Sequence, residues 1–142
     1  MPEFDYAKLI QLDAESLCEQ GIEDAYSEIT LSLKKWVEPQ ELLRVETDND
    51  DYSIRINNQV YPVYIHGPMD VTACWENATY VFFHIVNEQL NGTDIKFYAL
   101  YSGNDLAGGF LTTAEVKQLK SANPKNKYEW PYLPTYKTEQ TK

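Results

Sequence analysis

Between residues 75 and 101 the chain changes its hydrophobic period, and that change restricts the kind of fold it can adopt. Over residues 75–90 the apolar positions recur at helical spacing. On a helical projection, Ala78, Val81, Phe82, Ile85, Val86 and Gln89 gather on one side, and Glu76, Asn77, Tyr80, His84, Asn87 and Glu88 on the other. The first set is expected to face a core. Asn91-Gly92 supplies a helix stop, and residues 95–101, IKFYALY, follow as an almost unbroken apolar and aromatic run. Such a run suits a central strand covered on both faces, which predicts the middle of a sheet.

The same alternation of periods extends in both directions. Asp13 is placed as an N-cap, and Ala14, Leu17, Cys18, Ile22, Ala25, Tyr26, Ile29, Leu33 and Trp36 recur at helical spacing up to the stop at Pro39. Gly21 either interrupts this region or lies within one helix; the pattern leaves both open. Residues 52–56, YSIRI, alternate at strand period. Asn57-Asn58 fits a two-residue type I′ turn, and 59–65 is the returning strand, where Pro62 points to a sheet edge or a bulge. Residues 106–111 form a short strand with Gly108-Gly109 at its centre, and Thr112 with Glu115 makes a capping box for a helix to about 122. The aromatics of WPYLP, 130–134, are expected to pack on the body, ahead of a disordered tail over 137–142. This order predicts an α+β domain over 1–136, a mostly antiparallel sheet of about four strands with three or four helices packed on it.

Charge divides the chain unevenly. The first 51 residues hold fourteen acids against four bases, whereas the remainder holds eight of each, so the whole net charge of -10 arises in the first part. A field of that sign repels nucleic acid and anionic membranes and speeds the approach of a basic protein. Late lysines at 117, 120, 125 and 127 do not reverse it. No apolar window is long enough for a membrane helix, and the opening residues have neither a basic start nor an apolar signal core, so a cytoplasmic protein is expected. Cys18 and Cys74 lie in no metal-binding pattern and are expected to be ordinary thiols.

Chemistry has few candidates to work with. His66 lies in a loop, and His84 lies on the polar helix face with Glu88 at i+4, a pair that lacks a third metal ligand nearby. The stretch 103–109, GNDLAGG, has neither the lysine nor the glycine spacing of a phosphate loop. Asp48, Asn49, Asp50 and Asp51 resemble the start of a calcium loop without its spacing. No enzyme, cofactor or metal is therefore expected. Surfaces remain. Glu15, Glu19 and Glu23 fall at successive i, i+4 positions, a like-charge stripe that costs a few tenths of a kcal/mol per pair in an isolated helix.

Four phrases, LDAESLCEQGIEDAYSEI (12–29), ATYVFFHIVNEQL (78–90), FYALYSGNDLAGGFLTTAEV (97–116) and WPYLP (130–134), together resemble small acidic bacterial immunity proteins of contact-dependent or polymorphic toxin systems. The resemblance implies a non-enzymatic inhibitor that binds a cognate toxin, a nuclease with a basic surface being the usual case. Expected contacts are Glu15, Glu19, Glu23, Asp24 and Glu28 of the first helical region, Asp48, Asp50 and Asp51 of the acidic turn, and Tyr52. An adaptor domain with another partner, or a small hydrolase or ligand-binding protein, are the alternatives.

Overall fold

The chain is described by a computed structural model covering residues 6–46, 51–64 and 71–135, with backbone alone for Val71 and Thr72. It is an α+β fold in which, among the described residues, six strands form two antiparallel three-stranded sheets with four α-helices around them. In chain order these are β1 (Ile10–Gln11), α1 (Ala14–Glu19), α2 (Ile22–Leu33), β2 (Leu42–Glu46), β3 (Tyr52–Ile56), β4 (Gln59–Tyr64), α3 (Val71–Gln89), β5 (Lys96–Leu100), β6 (Ala107–Leu111) and α4 (Thr113–Ala122). Sheet one has the order β2-β3-β4, and sheet two the order β1-β6-β5.

The local signals of the hairpin act as expected. Asn57 and Asn58 have φ of 49° and 66°, the left-handed pair that a type I′ turn demands. Pro62 is at an edge strand and at a bulge together: Tyr52 pairs with Tyr64 and Ser53 with Pro62, so Val63 is the extra residue. The capping box at Thr112 is present in full, with its hydroxyl accepting from Glu115 N and the Glu115 carboxylate accepting from Thr112 N.

Two expectations about the sheet are corrected. One sheet of about four strands is replaced by two of three, because β1 and β2 join as strands that the pattern did not reveal. The middle of the second sheet is β6, not the apolar run 95–101. β1 pairs with one side of β6 and β5 with the other, while among the described residues the far side of β5 meets only a single bridge between Ala99 and Tyr132. Close packing also accounts for a glycine in β6. A Cβ on Gly108 would stand 2.5 Å from the ring of Phe97.

α3 contacts both sheets, at β4 and at β5, and packs along α1. Ala78, Val81, Phe82, Ile85 and Val86 are buried as expected, and Phe83 joins them. The ring of Phe83 stacks on Phe97 at 4.6 Å, and Phe97 lies 4.5 Å from Phe110, so one aromatic column links the helix to the second sheet. Asn77 departs from the polar face it was assigned. It is buried, and its Nδ2 donates to the carbonyls of Pro62 and Val63. A smaller cluster of Leu100, Leu111, Val116 and Leu119 seats α4. The 130–134 segment packs on the body as expected: Trp130 Nε1 donates to Asn123 O at 2.8 Å, and Tyr132 exchanges backbone bonds with Ala99.

Candidate interaction surface

Asp13 caps α1 from a left-handed conformation, φ 72°, with its carboxylate accepting from Glu15 N at 3.0 Å. Asn104, in the turn before β6, donates to both Asp13 Oδ1 and Glu15 Oε1, at 3.0 and 3.2 Å. Glu19 lies one turn on from Glu15. Its carboxyl is raised above the usual carboxylate range, first by a hydrogen bond with Glu15 and then by the charges of Glu15 and Asp13. No ion pair to Glu15 or Glu19 occurs among the described residues.

The helical region breaks at Gly21, whose φ is 108°. Gly21 follows the last turn of α1 and opens α2, so the stripe Glu15-Glu19-Glu23 does not run along one helix. Glu23 turns away from the other two and pairs with Arg44 at 3.2 Å, where Arg44 also holds Glu46. It is a structural ion pair between α2 and β2. Asp24 and Glu28 are exposed on α2, and Leu31, at i+3 from Glu28, is 77% exposed, the most exposed large apolar side chain among the described residues. Helical spacing assigned Ile29 and Leu33 inward but gave Leu31 no role.

Most of the acidic turn falls outside the described residues. Asp48 and Asp50 lie outside the described residues, and Asp51 is half-buried beside β3. Tyr52 is a core residue and not a contact: it is 5% exposed, and its hydroxyl donates to the carbonyls of Leu17 and Cys18 at 3.2 and 3.1 Å. The Arg44 guanidinium lies 3.9 Å above its ring. Burial pushes its phenol up to about 12.

Cys18 and Cys74 form a disulfide, contrary to the expectation of free thiols. The bond ties α1 to α3 with Cα atoms 5.7 Å apart across 56 positions of sequence. Nothing local announces it, since the pairing depends on α1 packing on α3. No helix among the described residues is long and apolar enough to cross a membrane.

A second constellation surrounds His84. Tyr80 stacks on its imidazole at 5.3 Å, Tyr61 meets it edge-on at 5.4 Å, and its Nε2 is 3.5 Å from Glu88. Tyr61, His84 and Glu88, with Gln59 and Gln40, line an open hollow of about 530 Å³ between the hairpin and α3. The Tyr61 hydroxyl is raised by burial and then by Glu88. Among the described residues no three His, Cys, Asp or Glu side chains are grouped to hold a metal. Residues 103–105 form a tight turn into β6 and not a phosphate cradle. The chain matches no family model, no curated protein and no solved structure.

Proposed function

We propose that the protein is a non-enzymatic binding protein that neutralises a cognate bacterial toxin, a nuclease with a basic surface, through the acidic face of α1 and α2. One observation carries the reading. Glu15 and Glu19 lie one turn apart on α1, the Glu19 carboxyl is raised first by its hydrogen bond with Glu15 and then by the Glu15 charge, and no ion pair to either occurs among the described residues. Free, this pair opposes itself; opposite a lysine or arginine of a partner it is neutralised, so the relief is gained only in the complex. Asp24 and Glu28 extend the charge along α2, and Leu31 gives it an apolar contact. Disulfides persist in oxidising compartments. In the cytoplasm, where such an inhibitor would act, Cys18 and Cys74 would be thiols and the domain would rely on its core.

The test is binding to a candidate toxin domain, sought in the reading frame upstream of this one. A tight 1:1 complex, lost with Leu31→Asp together with Glu28→Lys while the variant keeps its fold by circular dichroism, is the expected result. A complex that survives both changes favours an adaptor using another face. The hollow at His84 is the specific observation that favours a ligand-binding protein or hydrolase. That reading requires a bound small molecule whose affinity falls with His84→Ala.

A further inference from the structure

The outer face of the β2-β3-β4 sheet exposes apolar side chains on its two outer strands, with Arg55 and Ser53 of the central strand between them, where a solvent-facing sheet is ordinarily polar. The register aligns Leu43, Arg55 and Val60 in one row and Val45, Ser53 and Pro62 in the next. Leu43 is 54% exposed, Val45 40% and Val60 56%, while Tyr52, Ile54 and Ile56 fill the core from the opposite face. The two edges of this sheet differ. Asn77 of α3 caps the carbonyls of Pro62 and Val63 on β4. β2 pairs only with β3 among the described residues.

The phase of the hydrogen bonds follows from the turn. A type I′ turn at Asn57-Asn58 makes Ile56 and Gln59 the hydrogen-bonded closing pair of the hairpin. Bonding direction alternates along β3, so Arg55 and Ser53 bond to Leu43 and Val45 of β2. The peptide groups of Leu42, Arg44 and Glu46 are then turned out of the sheet. An edge of this kind, short but apolar on one face and unbulged, is a template for another strand.

We propose that β2 pairs antiparallel with β2 of a second copy of this chain, joining two three-stranded sheets into one of six. Three two-fold registers are available within the strand. Centred on Arg44, two guanidinium groups face each other; centred on Leu43, Arg44 faces an apolar Leu42. Centred on Val45, each Arg44 lies opposite Glu46 of the second copy, and opposite charges meet on both sides of the axis. Arg44 and Glu46 already lie on one face of the strand, 2.6 Å apart. In the Val45 register the two pairs form a ring of alternating charge, and Val45 meets its own copy on the outer face with the Leu43 side chains beside it. Each copy carries a net charge of -10, and salt screens that repulsion between exposed groups. Self-association therefore strengthens with salt, whereas steering of a basic partner weakens.

The register can be read by cross-linking. The chain has two cysteines and both are bridged, so Val45→Cys introduces the sole thiol. A non-hydrogen-bonded antiparallel pair has Cα atoms about 4.5 Å apart, within disulfide reach. Under mild oxidation Val45→Cys is expected to give a covalent dimer, and Val60→Cys, on the same face but on β4 at the opposite edge, is expected to remain monomeric. Sedimentation of the unmodified full chain should give twice the chain mass as concentration and salt rise, and Val45→Lys should sediment as a monomer with unchanged circular dichroism. A chain that stays monomeric throughout, or a Val60→Cys variant that cross-links as readily as Val45→Cys, would overturn the proposal.

Discussion

Tyr52 joins α1 to β3 through two carbonyl acceptors that its own burial makes costly to abandon. Its phenol is pushed up to about 12 by burial, whereas an unfolded tyrosine ionises near about 10. A group with its folded value raised stabilises the native state fully below the unfolded value and loses that contribution as pH climbs through the folded one. Phenolate absorbance followed together with circular dichroism should show a late-titrating class and loss of structure between about pH 10 and 12. Tyr101 belongs to the same class, raised by burial and by Glu129. Tyr52→Phe keeps the ring and removes the hydroxyl, and urea unfolding should report a loss of about 1 kcal/mol. Glu19 behaves in the opposite sense. Its carboxyl is raised first by the hydrogen bond with Glu15 and then by that residue's charge, and Glu19→Gln keeps a hydrogen-bonding group while removing the like charge, so it should increase the melting temperature while slowing association with a basic partner. A variant that lost both stability and association rate would place Glu19 in the fold and not in the interface.

Elements are set by junctions here as much as by periods. Gly21 ends one helix and begins the next with φ 108°, and a Cβ there would lie 2.2 Å from Glu23 Oε1 and 2.8 Å from Arg44 Nη1. Gly21→Ala should cost more than about 1 kcal/mol in denaturant unfolding, since strain and the displaced Glu23–Arg44 pair act together. The Cys18–Cys74 bond closes a loop of 56 positions, for which chain entropy allows a contribution of up to about 4 kcal/mol. Unfolding with and without reductant should show a shift of that order with the far-ultraviolet spectrum of the native state retained. These junctions also explain what was legible. The Asn-Asn turn, the capping box and the inward face of α3 depend on residues within a few positions of one another, and they could be read directly. β2 could not, because Leu43 and Val45 point to solvent while Arg44 lies over Tyr52, which inverts the usual apolar-inward alternation. β1 has two residues and exists only through its pairing with β6. The disulfide required knowing that α1 lies on α3.

At the scale of the whole molecule the sequence indicated where charge concentrates, and folding determines which carboxylates remain available. Glu23 is taken up by Arg44, Glu46 by the same guanidinium, and Tyr52 by the core, so among the described helical residues the candidate surface keeps Glu15 and Glu19 on α1 and Asp24 and Glu28 on α2. A contiguous stripe could be counted along the sequence but not placed, because the break at Gly21 sends its third member to another neighbour. Leu31 escaped notice for a related reason: an outward leucine leaves no mark in a pattern searched for inward ones. The association rate with the proposed basic partner, measured as a function of ionic strength, bears most directly on the acidic surface. Steering predicts a rate that falls steeply with salt and drops by about ten-fold or more at low salt when Glu15, Glu19, Asp24 and Glu28 are changed to lysine. A rate indifferent to salt and unaltered by those four substitutions would contradict it.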